Sequence, residues 1–216
     1  MIDGLVPSAV RAAETFTDAP ESMMLAEEAA YIAGAVDARR REFCTVRCCA
    51  RVALGQIGIA AAPILPDESR APRWPVGTVG SMTHCRGYRA AAVAPSSELR
   101  AIGIDAEHDA PVPPDALELV LGADERAHVR ALAHSDPETN WDRLAFAAKE
   151  AAYKAWFPVT RQWLDFSDLS VRLRPGGTFT ARVGAGDPPV AGTGMDRLAG
   201  HWTVGNSLIV TAIAIR

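Results

Sequence analysis

Helical and strand periodicity occupy separate blocks of this chain, and the blocks come twice in the same order. Phe43, Val46, Ala50 and Ala53/Leu54 recur at helical spacing, with Arg39, Arg40, Arg41, Arg47 and Arg51 on the other face. That period predicts a helix from Ala38 to about Gln56, capped by Asp37 and stopped at Gly58. An earlier helix is expected to enter through Thr17-Asp18-Ala19-Pro20 and run to about Val36, with Glu21, Glu27 and Glu28 favouring its dipole. Short apolar runs follow at Val79–Met82, Ala90–Val93 and Leu99–Ile104, separated by turn residues, and these read as strands.

The second block repeats the pattern. Short helices are predicted over Asp115–Leu121 and Ala123–Ala133. A longer one covers Trp141–Trp156, striped by Trp141, Leu144, Ala145, Ala148 and Ala152, and ends before Pro158. Strands then read at Leu169–Leu173, Phe179–Val183, His201–Val204 and Ser207–Ile215, with Pro175-Gly176-Gly177 and Gly205-Asn206 as turn signals. The fold class is α+β, with halves 1–110 and 111–216 divided at Pro111-Val112-Pro113-Pro114. Residues 62–78 hold Pro63, Pro66, Pro72 and Pro75 and read as a loop anchored by Trp74.

Composition narrows the function classes. The 216 residues are 49% hydrophobic and 22% charged, enough for a sizeable core, and the formal net charge of -4 gives no global field for nucleic acid. The first residues lack a basic stretch leading into an apolar one, and no run reaches a membrane span, so a cytoplasmic protein is expected. Cys44, Cys48 and Cys49 share one helix and Cys85 lies elsewhere. No second pair completes a zinc set, so reduced, largely buried thiols are expected.

Several polar residues stand out against this background. Asp105 and Glu107 are two apart at a strand end, so both point to one face. Two such carboxylates are either a solvated strand exit or a pair that needs a cation between them. Glu150 and Lys154 are four apart on the long helix, which allows a surface ion pair, yet Ala145-Phe146-Ala147-Ala148 and Ala151-Ala152-Tyr153 around them are apolar. Ser81, Thr83 and His84 offer phosphate donors at a strand-to-turn junction, and Arg39 and Arg47 lie two turns apart on one helix. Carboxylates, lysines, a histidine and arginines together suit magnesium-assisted phosphoryl chemistry.

The order of these residues carries a resemblance. Gly80-Ser81-Met82-Thr83-His84, then Gly103-Ile104-Asp105-Ala106-Glu107, then Phe146-Ala147-Ala148-Lys149-Glu150-Ala151-Ala152-Tyr153-Lys154-Ala155-Trp156 resembles the 4'-phosphopantetheinyl transferases. The match is to the bacterial type that includes enterobactin synthase component D and the surfactin-synthetase-activating enzymes. The resemblance implies two similar pseudo-twofold halves, each a small antiparallel sheet packed with a long helix, with coenzyme A between them. It implies magnesium, or manganese, on Asp105, Glu107 and Glu150. It implies coenzyme A phosphates on Ser81 and His84, with Lys149 and Lys154 lining the same site. Arg39 and Arg47 match basic positions near the nucleotide, and Arg70 stands in for a basic residue that the family often carries just before Trp74-Pro75. Glu150 is the implied general base, with Lys154 and His84 as catalytic partners.

The implied reaction moves phosphopantetheine from coenzyme A to a carrier-protein serine, releasing 3',5'-adenosine diphosphate. The implied partners are apo acyl or peptidyl carrier proteins of polyketide, non-ribosomal peptide or siderophore systems, served by a monomer. Candidate docking positions lie around Leu117–Leu121 and Phe157–Trp163. A phosphohydrolase acting on nucleotide pyrophosphates, or a non-catalytic nucleotide- or carrier-binding module, would use many of the same residues.

Overall fold

The computed structural model describes residues 1–184 and 194–216. Two antiparallel sheets organise them. Strands β1 (Arg11–Thr15), β2 (Thr78–Cys85) and β3 (Tyr88–Pro95) form a sheet in the order β1-β3-β2. Strands β4 (Ala101–His108), β5 (Leu169–Arg174), β6 (Thr178–Val183), β7 (Arg197–Gly205) and β8 (Leu208–Ile215) form a second in the order β4-β8-β7-β6-β5. The helices are α1 (Ala26–Ile32), α2 (Asp37–Gln56), α3 (Pro114–Val120), α4 (Ala123–Ser135) and α5 (Trp141–Thr160).

Each sheet carries one long helix. Helix α2 lays Cys49, Ala50, Ala53 and Leu54 against Ala91 and Val93 of β3. Helix α5 lays Ala148, Ala152, Ala155 and Trp156 against the five-stranded sheet. The α+β class of the sequence is the observed one. Strand β4, which precedes residue 110, forms its ladder with β8, pairing Asp105 with Thr211 and Glu107 with Ile209.

A seam joins the two sheets where β2 meets β4. There Ser81 Oγ accepts the Ile104 N–H at 3.1 Å and Thr83 Oγ1 accepts the Ala106 N–H at 3.0 Å. Both contacts advance by two residues together, so the two edge strands run parallel, knit by hydroxyls instead of a backbone ladder. On its other side β4 meets α5 at Gly103. A methyl group there would sit 2.8 Å from the Ala155 nitrogen and deeper still into the Ala151 carbonyl oxygen. Only a residue without a side chain lets this strand and helix approach so closely.

Three expectations need correction. The helix entering at Asp18 is a 3-10 turn at Glu21–Met23 followed by the seven-residue α1, because Met24 and Leu25 are extended. Glu28 is buried and does more than complement a dipole. It accepts Arg51 Nη1 at 2.9 and 2.8 Å and the Ile64 N–H at 3.0 Å, tying α1, α2 and the proline loop together. Helix α5 runs through Pro158 to Thr160, where Arg161, at φ 56°, ends it with its N–H on the Phe157 carbonyl. Strand β1 went unforeseen, since Arg-Ala-Ala-Glu-Thr has no strong strand pattern.

Candidate active site

Helix α2, the proline loop, strand β2 and the last turns of α5 enclose a cavity of about 570 Å³. Arg39, Arg47, Arg70, Ser81, His84 and Lys154 line it. Residues far apart in sequence meet here because the β2–β4 seam and the Gly103 contact bring α5 beside β2.

Each side chain is set by its element. Asp105 is buried on β4. Its Oδ1 accepts Lys154 Nζ at 2.6 Å and Thr83 Oγ1 at 3.3 Å, and its Oδ2 is buried with no partner. Lys154 also reaches the Ile104 carbonyl at 3.2 Å, so the lysine bridges the contact between α5 and β4 instead of pairing with Glu150 along its helix. Glu107 holds Arg143 at 3.2 Å. Burial, with Asp105 close by, pushes the Glu107 carboxyl above the usual range against Arg143 and Lys154. Burial and the Asp105 charge likewise push Glu150 up, opposed by Lys154.

Ser81 and Lys154 both line the cavity. His84 Nε2 stands 2.8 Å from Arg39 Nη1 and 3.2 Å from Glu42 Oε2. Arg47 is buried, with its Nε on the Ile64 carbonyl at 2.6 Å and its guanidinium stacked 3.2 Å from the Phe43 ring. Burial lowers its pKa to about 10. Arg70 sits at φ 67° in a tight loop whose ends bridge at Pro66 and Pro72.

Lys149 departs from expectation. It is 1% exposed, and its Nζ donates to the Val120 carbonyl, Glu125 Oε2 and the Phe166 carbonyl, each at 2.8 Å. Five residues along a helix turn a side chain through about 140°, so Lys149 and Lys154 cannot line one wall. Lys149 ties α5 to α4 and to the turn before β5.

Among the described residues, no three His, Cys, Asp or Glu side chains stand close enough to hold a metal. The carboxylates expected to do so share one electrostatic neighbourhood but are drawn apart, Asp105 to Lys154 and Glu107 to Arg143. Asp105 Oδ2 is unpartnered, and the two neighbouring carboxyls are raised first by burial and then by the Asp105 charge. Oxygen donors in such a setting suit a hard divalent cation.

Some site residues were missed as such. Tyr153, Phe157, Arg161 and Trp163 line the cavity, although the run Phe157–Trp163 reads in the sequence as a docking surface. Tyr153 meets the Trp163 ring edge-on at 5.3 Å. Arg143 and Glu42 act on the expected residues, and no spacing rule singles them out; Thr83, expected as a phosphate donor, gives its hydroxyl to Asp105 instead. All four cysteines are free thiols, and burial pushes those of Cys49 and Cys85 up to about 11.

Comparison with known proteins bears on what this cavity serves. Residues 27–94 match the model of the 4'-phosphopantetheinyl transferase N-terminal domain, and residues 101–205 match that of the 4'-phosphopantetheinyl transferase superfamily. The chain is 47% identical to 4'-phosphopantetheinyl transferase Svp of Streptomyces mobaraensis, over 100% of this chain and 89% of that protein. It is 41% identical to 4'-phosphopantetheinyl transferase PptT of Mycobacterium tuberculosis, over 94% of this chain and 91% of that protein. Enterobactin synthase component D of Salmonella typhi is 33% identical over 55% of this chain and 48% of its own length. Full-length identity at this level, with both family models matched in order on either side of the β2–β4 seam, places the chain in the 4'-phosphopantetheinyl transferase family, as a transferase enzyme.

Proposed function

We propose that this enzyme transfers the 4'-phosphopantetheine arm of coenzyme A to a serine hydroxyl of an acyl or peptidyl carrier protein and releases 3',5'-adenosine diphosphate. The observation that carries the reading is the cavity itself, where donors from both halves of the chain face one volume large enough for a nucleotide. Arg39, Arg47 and Arg70 supply charge for phosphates, with Ser81 donating its hydroxyl proton, since its oxygen already accepts the Ile104 N–H.

In this reading the serine oxygen forms a bond to the β-phosphorus while the bridging bond to the α-phosphate breaks. Glu150 takes the serine proton, a role suited to a carboxyl whose pKa is raised. Lys154 stands beside Asp105 and stabilises the charge that grows on the leaving phosphate. Asp105, Glu107 and Glu150 would hold magnesium or manganese, which neutralises pyrophosphate charge. To bind it, Asp105 and Glu107 would exchange part of their pairing with Lys154 and Arg143. Lys149 has no direct part.

The same reading takes the enzyme as a cytoplasmic monomer of two pseudo-twofold halves, 1–110 and 111–216. Its test is incubation with coenzyme A, magnesium and an apo carrier protein. A mass gain of one phosphopantetheine on the carrier supports transfer. Coenzyme A cleavage without carrier modification would instead establish a phosphohydrolase, and neither product would leave a binding module.

A further inference from the structure

Helix α2 brings a carboxylate to the rim of the cavity that the sequence did not single out. Glu42 lies three residues from Arg39. Its Oε2 is 3.5 Å from Arg39 Nη1 and 3.2 Å from His84 Nε2, and its Oε1 is 3.9 Å from Arg89 Nη2. Arg89 is buried, donates to the Tyr88 carbonyl at 2.9 Å and faces Asp18 at 3.2 Å. The groups around the His84 ring are therefore Arg39 and Glu42 from α2, Arg89 from β3 and, at longer range, Lys154 from α5.

The donor inventory fixes the state of this cluster. A guanidinium only donates, so the 2.8 Å contact with Arg39 requires His84 Nε2 to be an acceptor. The ring is then neutral, with its proton on Nδ1, and Glu42 Oε2 cannot bond to the same nitrogen. Burial, with Arg39, Lys154 and Arg89, holds the imidazole below its usual pKa, opposed by Glu42. The arrangement holds only while Arg39 has no better acceptor. A phosphate in the cavity is a better acceptor, because guanidinium–phosphate bonds are charge-assisted and bidentate. Once Arg39 turns to it, His84 Nε2 is left 3.2 Å from a carboxylate with its competing cation gone.

We infer that Glu42 is the positioning residue of this phosphate site: it holds Arg39 beside His84 in the free enzyme and becomes the counter-ion of a protonated His84 when Arg39 engages the ligand, so that anion binding takes up one proton at His84. The protonated ring then carries a second positive charge to the phosphates. This rests on the coenzyme A reading above, and the test separates the two.

The experiment follows the ring resonances of His84, assigned by their loss in His84→Gln, across a pH titration with and without coenzyme A. The expected result is an upward displacement of the His84 titration on adding coenzyme A. In Glu42→Gln coenzyme A should still bind, with that displacement lost, and Glu42→Asp should restore part of it. Losing one charge-assisted contact predicts a KM for coenzyme A about tenfold higher in Glu42→Gln near neutral pH, with kcat largely kept. If coenzyme A perturbs other cavity resonances, such as the Trp163 indole, but His84 titrates at the same pH, the Glu42 inference is overturned and the coenzyme A reading stands. If no resonance responds to coenzyme A, both fall.

Discussion

Replacing Gly103 by alanine tests whether the approach of β4 to α5 builds the site. The added carbon would lie 2.8 Å from the Ala155 nitrogen and 3.0 Å from the Ala151 carbonyl carbon, where ordinary contact begins at 3.4 Å. Both neighbours are backbone, so no side chain can swing away. Strand and helix must part by at least half an ångström, and more to clear the Ala151 oxygen. Overpacking of a buried contact costs about 1–3 kcal/mol, and a backbone-to-backbone clash belongs at the top of that range or beyond. For a chain of this size, about 3 kcal/mol lowers Tm by roughly 6–12 °C.

The same displacement pulls Lys154 from Asp105, whose 2.6 Å bond spans that junction. A misplacement near 1 Å costs on the order of 100-fold in rate. Transfer by Gly103→Ala should therefore fall far more than its folded fraction does, measured by mass spectrometry of the carrier alongside thermal unfolding. Gly55→Ala is the control. A side chain there meets nothing within 4 Å, and alanine in this last turn of α2 should leave stability within about 1 kcal/mol of the parent's. If Gly103→Ala kept the parent's Tm and turnover, close packing at this glycine would not be what assembles the site.

Other outcomes follow from the same geometry. Lys149→Met leaves Glu125 without its buried cation and should lose about 3–5 kcal/mol of stability by denaturant unfolding, with KM for coenzyme A unchanged in the folded fraction. A raised KM would return Lys149 to the ligand site. Lys154→Met should abolish carrier loading, and an active variant would remove the lysine from the proposed chemistry. A carboxyl raised on folding stabilises the protein at low pH and withdraws that contribution as pH rises through its folded value. Glu150, raised by burial and Asp105, should thus make Glu150→Gln more thermostable than the parent above the ordinary carboxyl range, while transfer is lost. Equal pH slopes for both proteins would refute this. Magnesium at a hundredfold excess over Kd should stabilise the parent by about 2.7 kcal/mol, read as a raised unfolding midpoint, and raise that of Glu150→Gln much less. An equal rise in both would take Glu150 out of the cation set.

The sequence by itself determined most of the elements and the family. Helix α2, the strand cores and most of α5 follow from apolar spacing, which is a local property of each segment. Motif order on β2, β4 and α5 identified the transferase family, and Asp105, Ser81, His84 and Lys154 could be named from it. Pro158 misled the end of α5, because a local rule cannot see the packing of Trp156 and Phe157 that keeps the helix intact beyond it. Only the tertiary structure decided which side chains meet. Lys149 and Lys154 look equivalent in the motif, yet one is sealed against Glu125 and the other crosses to Asp105, since helical phase separates them and a different neighbour waits on each side. Asp105 and Glu107 read as one pair, but Thr83 with Lys154 holds the first and Arg143 the second. These partners arrive from other strands and helices, through a seam of hydroxyls and a glycine contact, and contacts of that kind are made by the fold and not by spacing.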